Sequence, residues 1–187
     1  MTVVLRPFGT GDEMVARRAH DELAAEGFEF LWGFDETKPW VDFLGMLDDY
    51  ATGRHIPEDR VACAVLVADV DGEIVGRISV RFRLNDFLRA RGGHIGYAVR
   101  PAYRRRGYAS EMLRLGLALA NDRGIDPVLV TCDDTNVASA AVIERAGGRL
   151  ESLFVDDDGT RIRRYWISRD DRSSNGGSRA RLGSSHL

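Results

Sequence analysis

At 187 residues, 44% of them hydrophobic and 29% charged, the chain is long enough to bury a single core without disulfides or a structural metal. No apolar run approaches the roughly 18 residues of a membrane span, and a net charge of −3 argues against a general nucleic-acid binder, whose affinity rests on neutralising phosphates over a basic face. The stretch from Met1 to Pro7 carries no basic segment ahead of a long apolar core, which predicts no export signal and a cytoplasmic protein.

Val3 to Arg6 is a short β-branched run ended by Pro7. Asp12 stands where an N-cap belongs, ahead of a helix reaching about Glu26 with Met14, Val15, Arg18, Ala19 and Leu23 along one stripe. From Gly27 to Thr52 aromatic and acidic residues mix, and Pro39 is predicted to open a second helix over 40–52. Val61 to Val70 and Ile74 to Leu84 are β-rich runs separated by Asp71-Gly72, the pattern of a hairpin. The first run is apolar almost throughout, as suits a strand covered on both faces. In the second, Val75, Ile78, Val80 and Phe82 carry the apolar weight while Arg77, Arg81 and Arg83 point elsewhere. Cys63 and Cys132 sit inside apolar runs with no metal-ligand spacing around them, which predicts buried free thiols.

After a short polar segment, 85–91, the run His94 to Val99 stops at Arg100-Pro101. A basic turn follows at Arg104 to Gly107, and a helix is predicted over 107–123. Ala109, Met112, Leu113, Gly116, Leu117 and Ala120 recur every three or four residues, so one broad face packs on the sheet. Pro127 to Cys132 is the next strand, Asp133 to Asn136 its polar exit, and Val137 to Ala146 a short helix closed by Gly147-Gly148. Leu150 to Val155 and Arg161 to Ser168 form a final hairpin turning at 157–159. Residues 1–168 therefore make one domain, and 169–187, rich in Ser, Gly and Arg, read as a disordered tail.

Arg104 to Ala109 fits the pattern Arg/Gln-x-x-Gly-x-Gly/Ala directly between a strand and a helix. The small residues let the backbone close around a pyrophosphate, and the amides from Arg105 to Ala109 point together at the positive end of the helix dipole. Otherwise the segment is an exposed basic turn. Neither a P-loop nor a dinucleotide-binding glycine pattern is present.

The strand ending at Tyr97 to Val99, the Arg104-x-x-Gly107-x-Ala109 turn, the strand Val128 to Cys132, Asn136 and the helix ending at Glu144 to Gly147 resemble, in that order, a GNAT (GCN5-related) N-acetyltransferase over 74–168. The segments at 92–101, 136–139, 142–144 and 164–167 are similar to a subgroup of predicted acetyltransferases. The resemblance implies an α/β fold of the α+β type. Its central sheet would be mixed and mostly antiparallel, with splayed strands and helices on both faces. It also implies acetyl-CoA as co-substrate, no metal, and direct transfer to a primary amine of a small molecule or peptide. Nucleic-acid and membrane partners are not expected, and a homodimer is an analogy with the family.

By the same resemblance, Tyr97, Ala98 and Val99 would pair with the pantetheine arm, the Val99 amide facing the acetyl carbonyl or pantetheine. Arg104, Arg105, Arg106, Gly107, Tyr108 and Ala109 would hold the pyrophosphate, and Asn136 and Ser139 would line the far side. One departure stands out: many relatives carry Tyr, which protonates the departing thiolate, where this chain has Ile143. Ser139 is a candidate substitute, or only a hydrogen-bond partner of CoA. His94, Tyr97, Asp133 and Asp134 are candidate bases, directly or through water; His94 also reads as a partner-bonded strand histidine and the aspartates as a polar strand end. The acceptor would meet residues 35–59, where seven acids outnumber Lys38 and Arg54. Beside Trp32, Phe34 and Trp40 they would select a cationic amine, or form a solvated helix face. Arg161, Arg163 and Arg164 would bind a carboxylate or nothing. The alternative function is a non-catalytic module that binds acyl-CoA as a regulatory or assembly signal, motivated by Ile143.

Overall fold

In the computed structural model, which describes residues 2–156 and 158–170, one sheet holds seven strands: β1 (Val4–Arg6), β2 (Cys63–Val70), β3 (Glu73–Arg81), β4 (Ile95–Val99), β5 (Val128–Asp133), β6 (Arg149–Val155) and β7 (Arg161–Ile167). Their order is β1-β2-β3-β4-β5-β7-β6, antiparallel at every junction except β4–β5. The helices are α1 (Glu13–Ala24), α2 (Trp40–Thr52), α3 (Asp86–Ala90), α4 (Tyr108–Asp122) and α5 (Val137–Arg145). This is the expected mixed, mostly antiparallel sheet with helices on both faces. None of the described helices is long and apolar enough to cross a membrane.

Two apolar layers flank the sheet. On one side Ala16, Ala19 and Leu23 of α1 and Phe43 and Leu47 of α2 pack with Val65 and Val67 of β2. On the other, Met112, Leu113 and Leu117 of α4 and Ile143 of α5 pack with Ile78, Val80, Ile95 and Val130. The strands between them alternate their side chains from one layer to the other. The β2–β3 turn has Asp71 at φ 53° and Gly72 at φ 89°, the two left-handed positions that a two-residue hairpin connection needs.

Three sequence expectations are corrected. Asp12 stands at the N-cap position of α1 as expected, but its side chain caps no amide of that helix: its carboxylate accepts the Gly9 N–H at 2.7 Å and pairs with Arg6 at 2.6 Å, closing a 3-10 turn over Thr10–Asp12. The buried stripe of α1 is Ala16, Ala19 and Leu23, whereas Met14 is 76% exposed and Val15 is exposed as well. The small alanines let the helix lie close to its neighbours, so the stripe follows packing rather than the largest apolar side chains. The polar segment at 85–91 contains the short helix α3, whose Asn85 cap accepts the Leu88 N–H at 2.9 Å. Of the tail expected to be disordered, Arg169 and Asp170 are helical and 171–187 lie outside the described residues. So does Asp157, between the paired strands β6 and β7.

Candidate active site

The parallel junction between β4 and β5 is held at one point and open beyond it. Ile95 pairs with Val130 alone. Just before it, His94 donates its N–H to Leu129 O at 2.7 Å, and its Nδ1 accepts the Leu129 N–H at 2.9 Å. Gly93 makes this approach possible: its φ is 59°, and a Cβ there would stand 2.5 Å from Leu129 O. Past Ile95 the strands part. The Arg100 N–H bonds to Val75 O on β3, so by the alternation of an antiparallel ladder the amides of Tyr97 and Val99 point into the opening.

At the far end of β4 the chain turns through Pro101–Tyr103 into the basic segment. Arg105 has a φ of 64° and Gly107 one of 84°, and Gly107 stands as the left-handed N-cap of α4. Among the described residues the amides of Arg106, Gly107, Ala109 and Ser110 have no acceptor within the chain. They form the donor-rich helix start that suits a phosphate. The three arginines differ. Arg104 is committed: its guanidinium grips Glu26 at 2.9 and 2.5 Å and its Nε donates to Val99 O at 3.0 Å. Arg106 donates to Ala102 O at 3.1 Å. Arg105 is exposed, and among the described residues no hydrogen bond engages its side chain.

Across the opening, the Tyr97 hydroxyl lies 3.1 Å from Ser139 Oγ. Asn136 caps α5 by accepting the Ser139 N–H at 3.0 Å, which fixes Ser139 in the first turn. Burial pushes the Tyr97 phenol up to about 12, with the Ser139 hydrogen bond opposing the shift. Burial likewise raises the Cys132 thiol beside Ser139 to about 11, so neither group is a base near neutral pH. Ile143 is fully buried in the layer under α4 and α5. Asp133 ends β5 with an exposed side chain and accepts the Asn136 N–H on its carbonyl. Asp134 instead receives Arg163 at 2.7 Å and Arg161 at 3.1 Å, so its carboxylate is engaged and offsets one of the two positive charges. Arg164 stands 3.0 Å from Glu151.

His94 is corrected as a base. Burial, reinforced by Arg81 and Arg89, lowers it to about 4, so the ring is neutral. Its Nδ1 lone pair is occupied by Leu129, which leaves the proton on Nε2. The ring clasps the sheet.

The acidic reading of the acceptor region is also corrected. A cavity of about 570 Å³ lies on the α1–α2 side of the sheet, bounded by Trp32, Tyr50, Val65, Phe87 and Leu88, and Asp59 is the one acid from 35–59 that reaches it. Asp35 is held by Thr37 and Lys38, Asp48 by Arg54 and Asp49 by His55. Phe34 and Trp40 pack into an aromatic cluster with Phe8 and Phe43. The cavity's charge comes instead from Arg60, Arg77 and Arg81. Arg77, Ser79 and Arg81 share one face of β3, so the period-two arginines of an otherwise apolar run were the available signal. Among the described residues no group of His, Cys, Asp and Glu could hold a metal ion.

Comparison with known proteins agrees with this geometry. The chain matches the acetyltransferase (GNAT) domain family over residues 2–149. Mycobacterium smegmatis RimJ, solved with CoA-disulfide, superposes with a TM-score of 0.66 at 22% identity, over 90% of this chain and 83% of that one. AAC(6')-Ib with ribostamycin and coenzyme A gives 0.61 at 15% identity, over 97% and 100%. The spermidine/spermine N-acetyltransferase SpeG of Vibrio cholerae gives 0.60 at 15%, over 94% and 98%. Curated protein sequences yield no match. The family match spans most of the chain, and the overall fold agrees with these structures: the chain belongs to the GNAT acetyltransferase family.

Proposed function

We propose that the protein transfers an acetyl group from acetyl-CoA directly to a primary amine of a small molecule or peptide. The observation that carries this reading is the opening between β4 and β5, with amides aimed into it from β4 and a donor-rich helix start at its mouth. RimJ and AAC(6')-Ib of the same fold were solved with CoA species, which supports the donor. Acetyl-CoA would supply an activated thioester.

The residues of this chain fit such a ligand in three places. The amides of Arg106, Gly107 and Ala109, with the Arg105 and Arg106 side chains, hold the pyrophosphate, while Tyr108 anchors the first turn from the core. Tyr97, Ala98 and Val99 offer the β4 edge to the pantetheine, with the Val99 amide donating to the thioester carbonyl, where charge develops during attack. Asn136 and Ser139 line the opposite wall. The amine nitrogen bonds to the carbonyl carbon, the C–S bond breaks, and the amine proton passes to Asp133 directly or through water. Ser139 donates a hydrogen bond to the leaving sulfur, which departs as the thiolate because the pKa of a thiol is low, and the thiolate then takes its proton from water. Both cysteines are buried, with thiols held protonated, which favours direct transfer over an acyl-enzyme.

The test is calorimetric binding of acetyl-CoA together with thiol release over a panel of primary amines. Saturable binding that weakens when Gly107 becomes Asp, with thiol release for at least one amine, is the expected result; absence of acetyl-CoA binding refutes the reading. Fully buried Ile143 favours the second reading, a non-catalytic acyl-CoA binder. Tight binding without thiol release for any amine would establish it.

A further inference from the structure

The cavity beside β3 holds positive charge that its walls do not neutralise. Arg77 is 6% exposed, its Nε has no hydrogen-bond partner, and its guanidinium lies 4.9 Å from the Phe28 ring centroid. Arg81, four residues on along the same strand face, donates to the carbonyls of Gly92 and Gly93 at 3.0 and 3.2 Å, and among the described residues no carboxylate hydrogen-bonds it. The nearest acid of the cavity, Asp59, stands 3.6 Å from Arg60. An unpaired buried cation such as Arg77 is costly, and the half-buried Arg81 on the same strand face adds to that cost. Burial and the neighbouring Arg81 accordingly depress Arg77 to about 10, with Cys63 and the more distant carboxylate of Glu29, which makes no hydrogen bond to it, opposing the shift only in part.

The pair also has a definite position relative to the opening. A Cβ on Gly96 would stand 3.4 Å from Arg81 Nη1 and 3.5 Å from Nη2, so the Arg81 guanidinium lies over bare β4 backbone, one residue from Tyr97. Ser79 Oγ donates to Gly96 O at 3.3 Å. An anion seated on the arginines therefore rests against the strand whose other edge lines the opening. Guanidinium groups match planar carboxylates through paired N–H donors. Beside the polar Asp59, Arg60, Ser79 and Asn85, the walls include the aromatic and apolar Trp32, Tyr50, Val65 and Leu88, and about 570 Å³ suits a small molecule.

We propose that Arg77 and Arg81 form a carboxylate receptor, and that the acceptor is a small primary amine bearing a carboxylate on an apolar body, as in an α-amino acid. The proposal rests on the acetyl-transfer reading for its chemistry but not for its binding. The carboxylate supplies the counter-charge that Arg77 lacks, and the apolar body fills the space beside Trp32 and Leu88. The amine then stands a few bonds from the carboxylate, toward β4.

The test uses the full chain and matched probes that differ only in the carboxylate: phenylalanine with 2-phenylethylamine, and leucine with isoamylamine. Calorimetric titration, with and without CoA, is expected to show each acid binding at least tenfold more tightly than its decarboxylated partner. Arg77→Met removes the charge and fills similar space; it should melt at or above the wild-type temperature, lose at least tenfold in affinity for the acids and keep its acetyl-CoA affinity within twofold. Arg81→Lys, which keeps the charge but loses the planar fork, should weaken the acids by a smaller factor. Equal binding of acid and amine, no binding of either acid, or unchanged acid affinity in Arg77→Met would overturn the receptor. Thiol release then separates the two readings: selective binding of the acids without acetylation leaves the receptor and removes the transfer reaction, whereas equal acetylation of acids and decarboxylated amines does the reverse.

Discussion

Tyr97 and Ser139 face each other across the parted strands β4 and β5, their hydroxyl oxygens 3.1 Å apart. Because burial holds the phenol at about 12, Tyr97 stays protonated through the physiological range and can donate to Ser139, leaving the serine proton for the opening. Ser139→Ala should therefore lower kcat for thiol release by about 10²-fold, in the range of a lost hydrogen-bond donor to developing charge, with the KM for acetyl-CoA changed less than threefold. Tyr97→Phe should fall between this variant and the wild type. Steady-state kinetics across both variants decides; a wild-type kcat in Ser139→Ala would remove the serine from the chemistry.

Much of this arrangement was legible in the chain, for local reasons. The change from a period of two to one near 3.6 at Gly107 marks strand, turn and helix without tertiary information, and Asp71-Gly72 specifies its own turn. Three features were hidden because distant segments decide them. The role of His94 depends on Leu129, 35 positions away. The carboxylate of Asp12 is claimed by Arg6 and Gly9 rather than by the helix it precedes. The arginines of β3 could be read only as pointing away from the apolar residues of their strand, because the cavity walls that enclose Arg77 and Arg81 come from segments as distant as Trp32 and Leu88.

Gly107 and Gly93 should respond differently to alanine. At Gly107, φ is 84° and a Cβ would meet nothing within 4 Å, so only the left-handed backbone cost of roughly 1–2 kcal/mol applies. Gly107→Ala should fold with that loss and bind acetyl-CoA several-fold more weakly. At Gly93 the added carbon would lie 2.5 Å from a backbone oxygen of β5, and its loss should exceed about 3 kcal/mol by backbone clash. Urea unfolding of the two variants measures the contrast, and equal losses would refute it.

Arg104 and Arg105 should also separate. Arg104 is engaged by Glu26 and Val99, so Arg104→Ala should disturb the turn, while its exposed ion pair contributes no more than about 1 kcal/mol to stability. Arg105→Ala removes an uncommitted cation, and should weaken acetyl-CoA about three- to tenfold at low salt without changing the melting temperature. The difference should shrink as ionic strength rises, because exposed charges are screened. Calorimetry at two salt concentrations checks this; an Arg105→Ala variant that binds like the wild type at low salt would place the phosphate contacts on the backbone amides alone.

Acid should unfold the protein in two stages. His94 falls to about 4 in the folded state through burial, whereas an unfolded histidine titrates near 6.5. Between these values the unfolded chain binds more protons, so stability rises with pH through that window. The contribution of His94 is complete above about pH 6.5 and drains away as pH falls toward 4. Asp12 and Glu22 are held low by hydrogen bonds from Arg6 and Arg100, so their contributions survive to the ordinary carboxylate range and are lost below it. His94→Asn keeps an acceptor for the Leu129 N–H but does not titrate. Its unfolding midpoint in urea should be lower than wild type at pH 7.5, yet nearly flat between pH 6.5 and 5, where the wild-type midpoint falls. Parallel slopes in the two proteins would show that the neutral histidine clasp between β4 and β5 is not what titrates there.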